Sequence, residues 1–574
     1  MQQNDGVRVD KLWLKAYPAG VPAEINPEQY RSLAHLFDEA CARYADRPAY
    51  SNLGRTISYR QLEAMSRDFG AWLQKEARLK PGDRIALMMP NILQYPVALF
   101  GALRAGLTVV NTNPLYTHRE LEHQLKDSGA KAIVVFENAA HVLEACLDET
   151  DVEEVIVTGI GDLLGFAKGP LVNFVLRHVR KQVKRYTLPR AHSFLDVLEQ
   201  GKWVNLADPG LTLEDVAFLQ YTGGTTGVSK GAILTHRNMV ANTLQTHAWL
   251  GQFALDPHEQ QVIVGALPLY HIFALTSIAL VWLHEGGHNV LITNPRDMPA
   301  FISDLKKYRC TVYYGVNTLF NGLLNAPGFA ALDFSRLKSC VAGGMALQGA
   351  VAERWQALTG AELLQGWGLT ETSPVATTNP RGVGFNNSIG LPLPSTEVSV
   401  RDDSGRELGV NQVGELCVRG PQVMRGYWNR PDETANVMIE GGWLRTGDIG
   451  RMDETGFVYI EDRKKDMILV SGFNVYPNEV EAVIARHPGV LEVAAVSQPD
   501  ERSGEVVAVY VVRKDPALTE EQLVDFARAD LTGYKVPKHI YFRDELPKTN
   551  VGKILRRSLR EQLEKLQSGA DTIM

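Results

Sequence analysis

Residues 221–232 read YTGGTTGVSKGA, and this loop of small residues decides how the fold is interpreted. The residues before it, VAFLQ (216–220), are mostly apolar and predict a buried strand, and those after it, THRNMVANTLQTHAWL (235–250), predict a helix. A strand, a glycine-rich loop and a helix form an arrangement that binds phosphate through backbone N–H groups. The alternative is a surface turn rich in glycine and threonine, and the loop alone does not decide between the two.

The loop differs from the Walker P-loop. That motif requires Gly, four residues and then Gly-Lys-Ser/Thr, whereas Lys230 follows Ser229 and precedes Gly231. Phosphate binding therefore stays open, on a scaffold other than that of the Walker NTPases.

The composition is that of an ordinary globular protein with several domains. The chain has 574 residues, 45% hydrophobic and 22% charged, and its formal net charge is −7. This charge argues against nucleic-acid binding, which requires a basic surface. Five scattered cysteines without a Cys-X-X-Cys pair indicate neither a zinc site nor a disulfide framework and fit a reducing cytoplasm. The sequence has no signal-peptide pattern, and its longest apolar stretch, residues 273–283, is too short to span a bilayer.

Short apolar strands alternate with helical stretches in the first part of the chain. RIALMM (84–89), LTVVN (107–111), KAIVVF (131–136) and EEVIVTG (153–159) predict strands, and PVALFGALRAG (96–106) predicts a helix. This alternation is typical of an α/β fold with mainly parallel sheets.

A second compact pattern occupies the C-terminal part of the chain. It consists of three predicted strands and one predicted helix: VLEVAAVSQ (490–498), VVAVYVVRK (506–514), TEEQLVDFARADL (519–531) and HIYFR (539–543). This is about the size of a small α/β domain. The charged run DRKKD (462–466) precedes it, and we place a hinge at residues 462–465. The predicted domains are therefore residues 1–461 and 466–574.

One segment departs from the acidic average of the chain. Between Asp162 and Asp196 there is no acidic residue, and seven basic residues lie there: Lys168, Arg177, Arg180, Lys181, Lys184, Arg185 and Arg190. Val172, Val175, Leu176, Val179 and Val183 recur at helical spacing, which predicts a basic amphipathic helix within 168–190. Such a helix binds an anionic lipid surface, or it packs its apolar face on the protein while its charges are solvated. The sequence leaves both alternatives open.

Several short motifs follow the loop in order along the chain. They are LPLYHIFAL (267–275), SCVAGGM (339–345), QGWGLTETSP (365–374), WLRTGDIG (443–450), DRKKD (462–466) and LPKTNVGKILRR (546–557). With these motifs the chain resembles the adenylate-forming superfamily, from about residue 58 to Lys553. PAGVPAEINPEQY (18–30) and DRKKDMILVSGFNVYPNEVE (462–481) further resemble the bacterial long-chain fatty acyl-CoA synthetases.

The resemblance implies a fold and a reaction. The fold is a large N-terminal domain of α/β subdomains with a distorted barrel-like part, followed by a small mobile α+β domain. In the reaction, a fatty carboxylate attacks ATP to give acyl-AMP and pyrophosphate, and coenzyme A then displaces AMP, with Mg²⁺ as cofactor. The rival hypotheses are an acyl-AMP ligase without transfer to coenzyme A, and a catalytically idle fatty-acid carrier at a membrane surface. The expected location is cytoplasmic, with peripheral binding to the inner face of the membrane if the basic segment binds lipid; a homodimer is compatible with the sequence.

The resemblance also implies roles for individual residues in the first step. Lys553 would bridge the carboxylate and the α-phosphate, Thr370 would donate to the α-phosphate, and Glu371, with Thr226, would contact Mg²⁺. The residues expected to bind the β- and γ-phosphates are Thr222, Gly223, Gly224, Thr225, Thr226, Gly227 and Lys230. The other expected nucleotide contacts are Gly343, Gly344, Gly366, Trp367 under the adenine, and Asp448 and Arg463 at the ribose.

A further set of residues is expected at the acyl group and at coenzyme A. The expected acyl contacts are His271, Tyr314, Gly315, Val341 and Gly368, with His271 as a positioning residue rather than a general base. The expected pivot of the small domain is Asp462. The loop expected to reach the thiol of coenzyme A contains Ser471, Gly472 and Phe473. The preferred length of the acyl chain is not readable from the sequence.

Overall fold

The computed structural model describes residues 11–222, 229–253, 255–256, 258–500, 502–549 and 552–567. Strands and helices are numbered along the chain. A first sheet, counted over these residues, has eight strands, in spatial order β19 (Gly426–Tyr427), β9 (Lys230–Thr235), β8 (Val216–Thr222), β4 (Thr108–Thr112), β3 (Arg84–Met88), β5 (Ala132–Phe136), β6 (Glu154–Thr158) and β7 (His192–Ser193). The strands from β8 to β7 run parallel, and β9 and β19 are antiparallel additions at one edge.

A second sheet of the described chain has nine strands and is also parallel at its centre. In spatial order they are β16 (Leu391–Pro392), β15 (Val375–Thr378), β14 (Leu363–Gly368), β13 (Ser339–Ala342), β12 (Val312–Gly315), β10 (Val262–Gly265), β11 (His288–Leu291), β1 (Pro48–Asn52) and β2 (Arg55–Ser58). The strands from β14 to β1 pair in parallel. Their apolar residues are buried on both faces, as in sheets covered by helices on both sides.

Two smaller sheets complete the part of the chain that the structure describes. The antiparallel third sheet contains β17 (Glu397–Arg401), β18 (Gly414–Arg419), β21 (Trp443–Met452), β20 (Met438–Ile439) and β22 (Val458–Arg463). The fourth, in the C-terminal part, contains β24 (Phe473–Val475), β23 (Ile468–Val470), β26 (Gly504–Arg513), β25 (Val490–Asp500) and β27 (His539–Arg543). Because β22 ends at Arg463 and β23 begins at Ile468, the chain leaves the third sheet within the predicted hinge region.

Helices connect the strands and cover the sheets. In the N-terminal part they are α1 (Leu33–Arg43), α2 (Tyr59–Lys75), α3 (Gln94–Arg104), α4 (His118–Ser128), α5 (Ala140–Glu144), α6 (Lys168–Phe174), α7 (Phe194–Gly201), α8 (His236–Leu250), α9 (Ile272–Ala274), α10 (Val281–His284), α11 (Met298–Tyr308), α12 (Asn317–Asn325), α13 (Gly349–Thr359) and α14 (Pro431–Val437). In the C-terminal part they are α15 (Pro477–Ile484), α16 (Glu520–Asp530) and α17 (Arg556–Gln567). Among the described residues, no helix combines the length and the apolar composition needed to cross a membrane.

These elements confirm the predicted α/β class and most of the predicted strands. The predictions at residues 84–89, 107–111, 131–136 and 153–159 correspond to β3, β4, β5 and β6, and the C-terminal predictions correspond to β25, β26, α16 and β27. A continuous core of buried side chains spans the first three sheets, whereas the C-terminal part has cores of its own.

The prediction that the loop at 221–232 leads directly into a helix is wrong. The loop joins β8 to β9, which pair antiparallel with Tyr221 opposite Gly231 and Thr222 opposite Lys230. The apolar residues that follow Lys230 continue the sheet, and α8 begins only after Thr235, which caps it together with Asn238. The N-terminus of this helix therefore lies one strand away from the loop.

The predicted basic helix is shorter than its apolar spacing suggests. Helix α6 continues as a π-helical stretch (Val175–Val179) and then ends. Lys181 has a φ of 51°, a left-handed conformation that a helix cannot contain. The basic residues from 180 to 190 therefore follow the helix as irregular chain instead of lying along it.

Candidate active site

A cavity of about 1000 Å³ lies near the carboxyl ends of β12, β13 and β14, where the third sheet and the C-terminal part also meet. Crevices at the carboxyl ends of parallel strands are the usual ligand sites of α/β proteins. Fifteen of the predicted site residues line this cavity: Thr222, Lys230, His271, Tyr314, Val341, Gly343, Gly344, Gly366, Trp367, Gly368, Thr370, Glu371, Asp448, Arg463 and Lys553.

The remaining predicted residues fall into two groups. Gly223, Gly224, Thr225, Thr226 and Gly227 lie outside the described residues, and the other five are described but do not line the cavity. Gly315 lies behind the wall, where an added Cβ would meet the Phe320 ring at 2.7 Å. Asp462, Ser471, Gly472 and Phe473 are also absent from the lining.

The Lys553 side chain enters the cavity from the C-terminal part. It lies over the backbone of Gly344, where an added Cβ would approach Lys553 Cε to 3.1 Å. Gly344 has a φ of 77°, so glycine is suited to this position on both counts. The lysine loop is held against α12, because Thr318 Oγ1 donates a hydrogen bond to the Gly552 carbonyl at 3.1 Å.

The charge state of Lys553 depends on its surroundings. Burial and the neighbouring Arg463 lower the pKa of Lys553 to about 8, while Asp448 and Glu371 act in the opposite direction. The side chain is therefore largely a cation at neutral pH, and the surrounding carboxylates hold that charge inside the cavity.

Asp448 is a buried carboxylate held from two sides. It lies opposite Arg463 in the pairing of β21 with β22, and Arg463 Nε is 2.5 Å from Asp448 Oδ1. The indole Nε1 of Trp367 donates to Asp448 Oδ2 at 2.9 Å. Burial raises the pKa of Asp448, and the Arg463 guanidinium is the strongest influence against that rise. Trp367 thus orients the carboxylate, a contact that the sequence did not predict.

Lys230 and Glu371 are linked through residues that the sequence did not single out. The Tyr427 hydroxyl donates to Glu371 Oε1 at 2.5 Å, and the Lys230 ammonium lies 5.0 Å from the Tyr427 ring centroid. Lys230 Nζ also pairs with Glu433 Oε2 at 2.6 Å. Both Lys230 and Glu371 face the cavity, so a cation and an anion are placed next to each other at its wall. No local pattern marks Tyr427 or Glu433, since both arrive from a distant part of the chain.

Thr370 begins the turn that presents Glu371 to the cavity. This turn (Thr370–Thr372) follows β14 directly and is tied to the loop before β19, because the Met424 N–H donates to the Glu371 carbonyl at 2.8 Å. Gly368, just before it, packs so closely that an added Cβ would lie 1.7 Å from the Pro374 carbonyl oxygen. A side chain at 368 would therefore displace the turn.

His271 lines the cavity together with the next two residues, Ile272 and Phe273. Its Nδ1 accepts the Phe273 N–H at 3.3 Å and so caps α9. Burial, together with the nearby Lys553, lowers the pKa of His271 to about 3. The imidazole is therefore neutral at pH 7, which suits a positioning residue better than a proton carrier.

The apolar end of the cavity is built largely by α8. Thr246, Trp249 and Leu250 of this helix, and Phe253 after it, line the cavity together with Ile272. The sequence predicted α8 as a helix but did not predict that it lines the cavity, because this contact depends on tertiary packing.

Asp462, the predicted pivot, and the predicted coenzyme A loop lie away from the cavity lining. Asp462 is fully buried, accepts the backbone N–H groups of Arg463 and Asn478 at 2.7 and 2.9 Å, and has a pKa raised by burial to about 6. Gly472 has a φ of 86° and is exposed to solvent, and the Phe473 ring stacks on Tyr534 at 5.0 Å between centroids. In this arrangement Lys553 lines the cavity, and residues 471–473, predicted to contact coenzyme A, do not.

The fold and the cavity define a class of protein: a two-part α/β enzyme that places a C-terminal lysine over a site lined by nucleotide-binding motifs. The family model described as AMP-binding enzyme matches residues 37–428, and the model of the AMP-binding enzyme C-terminal domain matches residues 479–553. The chain therefore belongs to the AMP-binding enzyme family.

Relatives and solved structures cover nearly the whole chain. The long-chain-fatty-acid–CoA ligase of Escherichia coli O157:H7 is 59% identical over 553 residues, which are 96% of this chain and 98% of that protein. The enzyme of the same name from Bacillus subtilis (strain 168) is 38% identical over 561 residues, again 96% and 98%. ATP-bound MatB from Rhodopseudomonas palustris superposes with a TM-score of 0.78 at 29% identity, covering 93% of this chain and 99% of that one. The anthranilate CoA ligase AuaEII in complex with anthranoyl-AMP has a TM-score of 0.84 at 23% identity, covering 95% and 100%, and supports the fold alone.

Proposed function

We propose that this protein activates long-chain fatty acids in two half-reactions. The carboxylate attacks the α-phosphorus of ATP, which forms the acyl-AMP anhydride and releases pyrophosphate. The thiol of coenzyme A then attacks the acyl carbon, which forms the thioester and releases AMP and a proton. The observation that carries the proposal is the Lys553 side chain over Gly344, in the same cavity as the Asp448, Trp367 and Arg463 cluster. The 59% identity to a long-chain-fatty-acid–CoA ligase supports the class of substrate.

The first half-reaction must bring two anions together. At about 4 Å and an effective dielectric of about 20, each pair of unit charges repels by roughly 4 kcal/mol. Lys553 and Lys230 both line the cavity and would offset this repulsion, Lys553 at the reacting atoms and Lys230 at the outer phosphates. Lys230 would then exchange Glu433, its present partner, for phosphate oxygens.

The nucleotide is proposed to lie across the Asp448 cluster. A carboxylate already oriented by Trp367 and Arg463 would accept the ribose hydroxyls, and a charged acceptor makes such hydrogen bonds stronger. Thr370 would donate to the α-phosphate, and the Trp367 face would contact the adenine.

Mg²⁺ is proposed as the cofactor of the first step. Mg²⁺ binds carboxylates and phosphate oxygens, and Glu371 supplies a carboxylate at the cavity wall, so the residues present fit the ion. When bound, Mg²⁺ neutralises phosphate charge. Tyr427 holds the Glu371 carboxylate in place by its hydrogen bond, and Thr226, the second predicted ligand, lies outside the described residues.

The acyl chain is proposed to occupy the apolar end formed by α8. Each buried methylene contributes about 0.8 kcal/mol, so a long chain gains affinity as far as the apolar wall extends. Trp249 and Leu250 both line the cavity and contribute to this wall.

The test is a product analysis with palmitate, ATP and Mg²⁺, with and without coenzyme A. With coenzyme A, we expect palmitoyl-CoA, AMP and pyrophosphate in equal amounts; without it, we expect bound palmitoyl-AMP at about one per chain. Octanoate should give a clearly lower kcat/KM than palmitate, since it buries fewer methylenes. Formation of ADP would contradict the proposal, and AMP without any thioester would identify an acyl-AMP ligase instead.

We also propose that the protein contacts an anionic membrane through a surface patch of Phe166, Leu171, Phe174 and Val179. These side chains are exposed by 97%, 63%, 55% and 66%, whereas Val172, in the same region, packs on the core. The basic residues that follow α6 are exposed as well, and one of them, Arg177, pairs with Glu137. Exposed apolar and aromatic groups next to lysine and arginine are typical of a lipid-facing surface.

Neutralising three charges beside this patch is expected to weaken binding to anionic vesicles. Each charge contributes about 1 kcal/mol near such a surface, so R180Q/K181Q/K184Q should lower partitioning by about 100-fold. Sedimentation with phosphatidylglycerol vesicles measures this, and phosphatidylcholine vesicles report the part that does not depend on charge. The matched control is K75Q/R78Q/K80Q, three exposed basic residues elsewhere on the surface. Equal partitioning of the two triple variants would contradict the membrane proposal.

A further inference from the structure

A cluster of two histidines and a glutamate joins α8 to α10. His247 lies in the last turn of α8, His284 is the last residue of α10, and Glu285 follows it. His247 Nδ1 is 2.9 Å and His284 Nδ1 is 3.3 Å from the same oxygen, Glu285 Oε1. One ligand atom from each of the three residues lies within 4.8 Å of the other two. The side chains thus converge on one point without a change of backbone.

The cluster is accessible and polar enough to receive an ion. The side chains of His247, His284 and Glu285 are exposed by 36%, 13% and 31%. The Tyr30 ring packs edge-on against His284, with centroids 5.9 Å apart, and supports the ring from outside the cluster.

We propose that His247, His284 and Glu285 bind a transition-metal ion of the Zn²⁺ type. Two imidazole nitrogens and one carboxylate oxygen are a ligand set used by open zinc sites, with water in the remaining position. Imidazole ligands argue against Mg²⁺ and Ca²⁺, which take oxygen ligands. On binding, each neutral imidazole would offer a ring-nitrogen lone pair to the ion, and the hydrogen bonds between the rings and Glu285 would be replaced by bonds to the ion.

The ion would act on the helices and not on the reacting atoms. None of the three ligands lines the active-site cavity, but Thr246, Trp249 and Leu250 of the same helix do. An ion held by α8 and α10 would therefore brace the helix that forms the apolar end of the cavity. We expect a gain in thermal stability, because the ion binds the folded chain, in which the ligands are assembled, better than the unfolded one.

The test uses the full-length protein after dialysis against a chelator, without any substrate. Calorimetric titration with Zn²⁺ should give one ion per chain with a Kd of about 1 µM or below, and Co²⁺ should produce the visible absorption bands of a low-coordinate site. The double variant H247Q/H284Q should weaken Zn²⁺ binding by at least about 100-fold and lose the Co²⁺ bands. The matched control is H192Q, which removes a histidine paired with a single carboxylate, Glu154, at 3.2 Å.

Stability measurements complete the test. Zn²⁺ should raise the Tm of the wild type and of H192Q but not that of H247Q/H284Q. E285Q, which keeps both rings, provides a second variant with the same expected loss if the double variant folds poorly. Absence of stoichiometric binding by the wild type, or retention of binding by the folded H247Q/H284Q or E285Q protein, would overturn the proposal. Because no substrate is present, neither result depends on the proposed enzymatic activity.

Discussion

Lys553→Ala is expected to lower fatty acyl-AMP formation by about 10³-fold and to leave thioester formation from supplied acyl-AMP nearly unchanged. The ammonium lies in the cavity over Gly344, where it would face both the attacking carboxylate and the α-phosphate. Its loss restores the repulsion between two anions in the first step only, because the second step joins a thiol to an anhydride that has already formed. Pyrophosphate exchange into ATP measures the first step, and conversion of synthetic palmitoyl-AMP with coenzyme A measures the second.

The matched control is Lys548→Ala, in the same loop. Lys548 pairs with Glu492 at 2.6 Å and does not line the cavity, so its loss tests the loop without touching the proposed chemistry. We expect both half-reactions of this variant to stay within about threefold of the wild type, as for a partly exposed ion pair. If Lys553→Ala lowered both half-reactions equally, the lysine would have a structural role and the proposed mechanism would be wrong.

Deprotonation of Lys553 should also affect the pH dependence of the first half-reaction. Burial, with Arg463 nearby, lowers the pKa of Lys553 to about 8, so the free enzyme loses this cation as the pH rises through that value. The kcat/KM of pyrophosphate exchange should therefore fall about tenfold per pH unit above pH 8. Lys553→Arg keeps its charge over this range and should be slower but lack the alkaline decline.

The sequence predicted both the strands and the convergence of the motifs on one site, but for different reasons. β3, β4, β5 and β6 are short apolar runs bounded by polar turns, so local composition identifies them. The convergence of Lys230, Asp448 and Lys553 on one cavity came instead from the resemblance to a family, since no local rule places residues hundreds of positions apart side by side.

The features that the sequence did not predict depend on tertiary structure. β9 was overlooked because the apolar run after Lys230 is short and leads into a helix that begins at His236. Tyr427 reaches Glu371, and Trp249 reaches the cavity, only through the packing of distant elements. The helix that begins with α6 ends early because Lys181 adopts a left-handed backbone conformation. The periodicity of the side chains does not predict this conformation.

Gly472→Trp is expected to lower the coenzyme A step by about 100-fold or more, with adenylation within about threefold of the wild type. In the described arrangement Gly472 is exposed, and an added Cβ would meet no atom within 4 Å, so the indole has space while Lys553 is in the cavity. The φ of 86° adds strain of order 1 kcal/mol to the loop for any residue other than glycine, and we propose that adenylation does not use this loop. For the second step we propose that the C-terminal domain turns about Asp462 and brings residues 471–473 to the thiol, where only a missing side chain leaves room for pantetheine.

The control for Gly472→Trp must carry the same backbone strain at a remote site. Gly405 has a φ of 84°, and an added Cβ there would also meet nothing within 4 Å. Gly405→Trp should therefore leave both half-reactions unchanged, which separates occlusion of the thiol path from the effect of a tryptophan at a left-handed position. If Gly472→Trp lost adenylation and Gly405→Trp did not, the loop at 471–473 would be needed for the first step. The proposed rotation about Asp462 would then be wrong, because it assumes that this loop acts in the second step only.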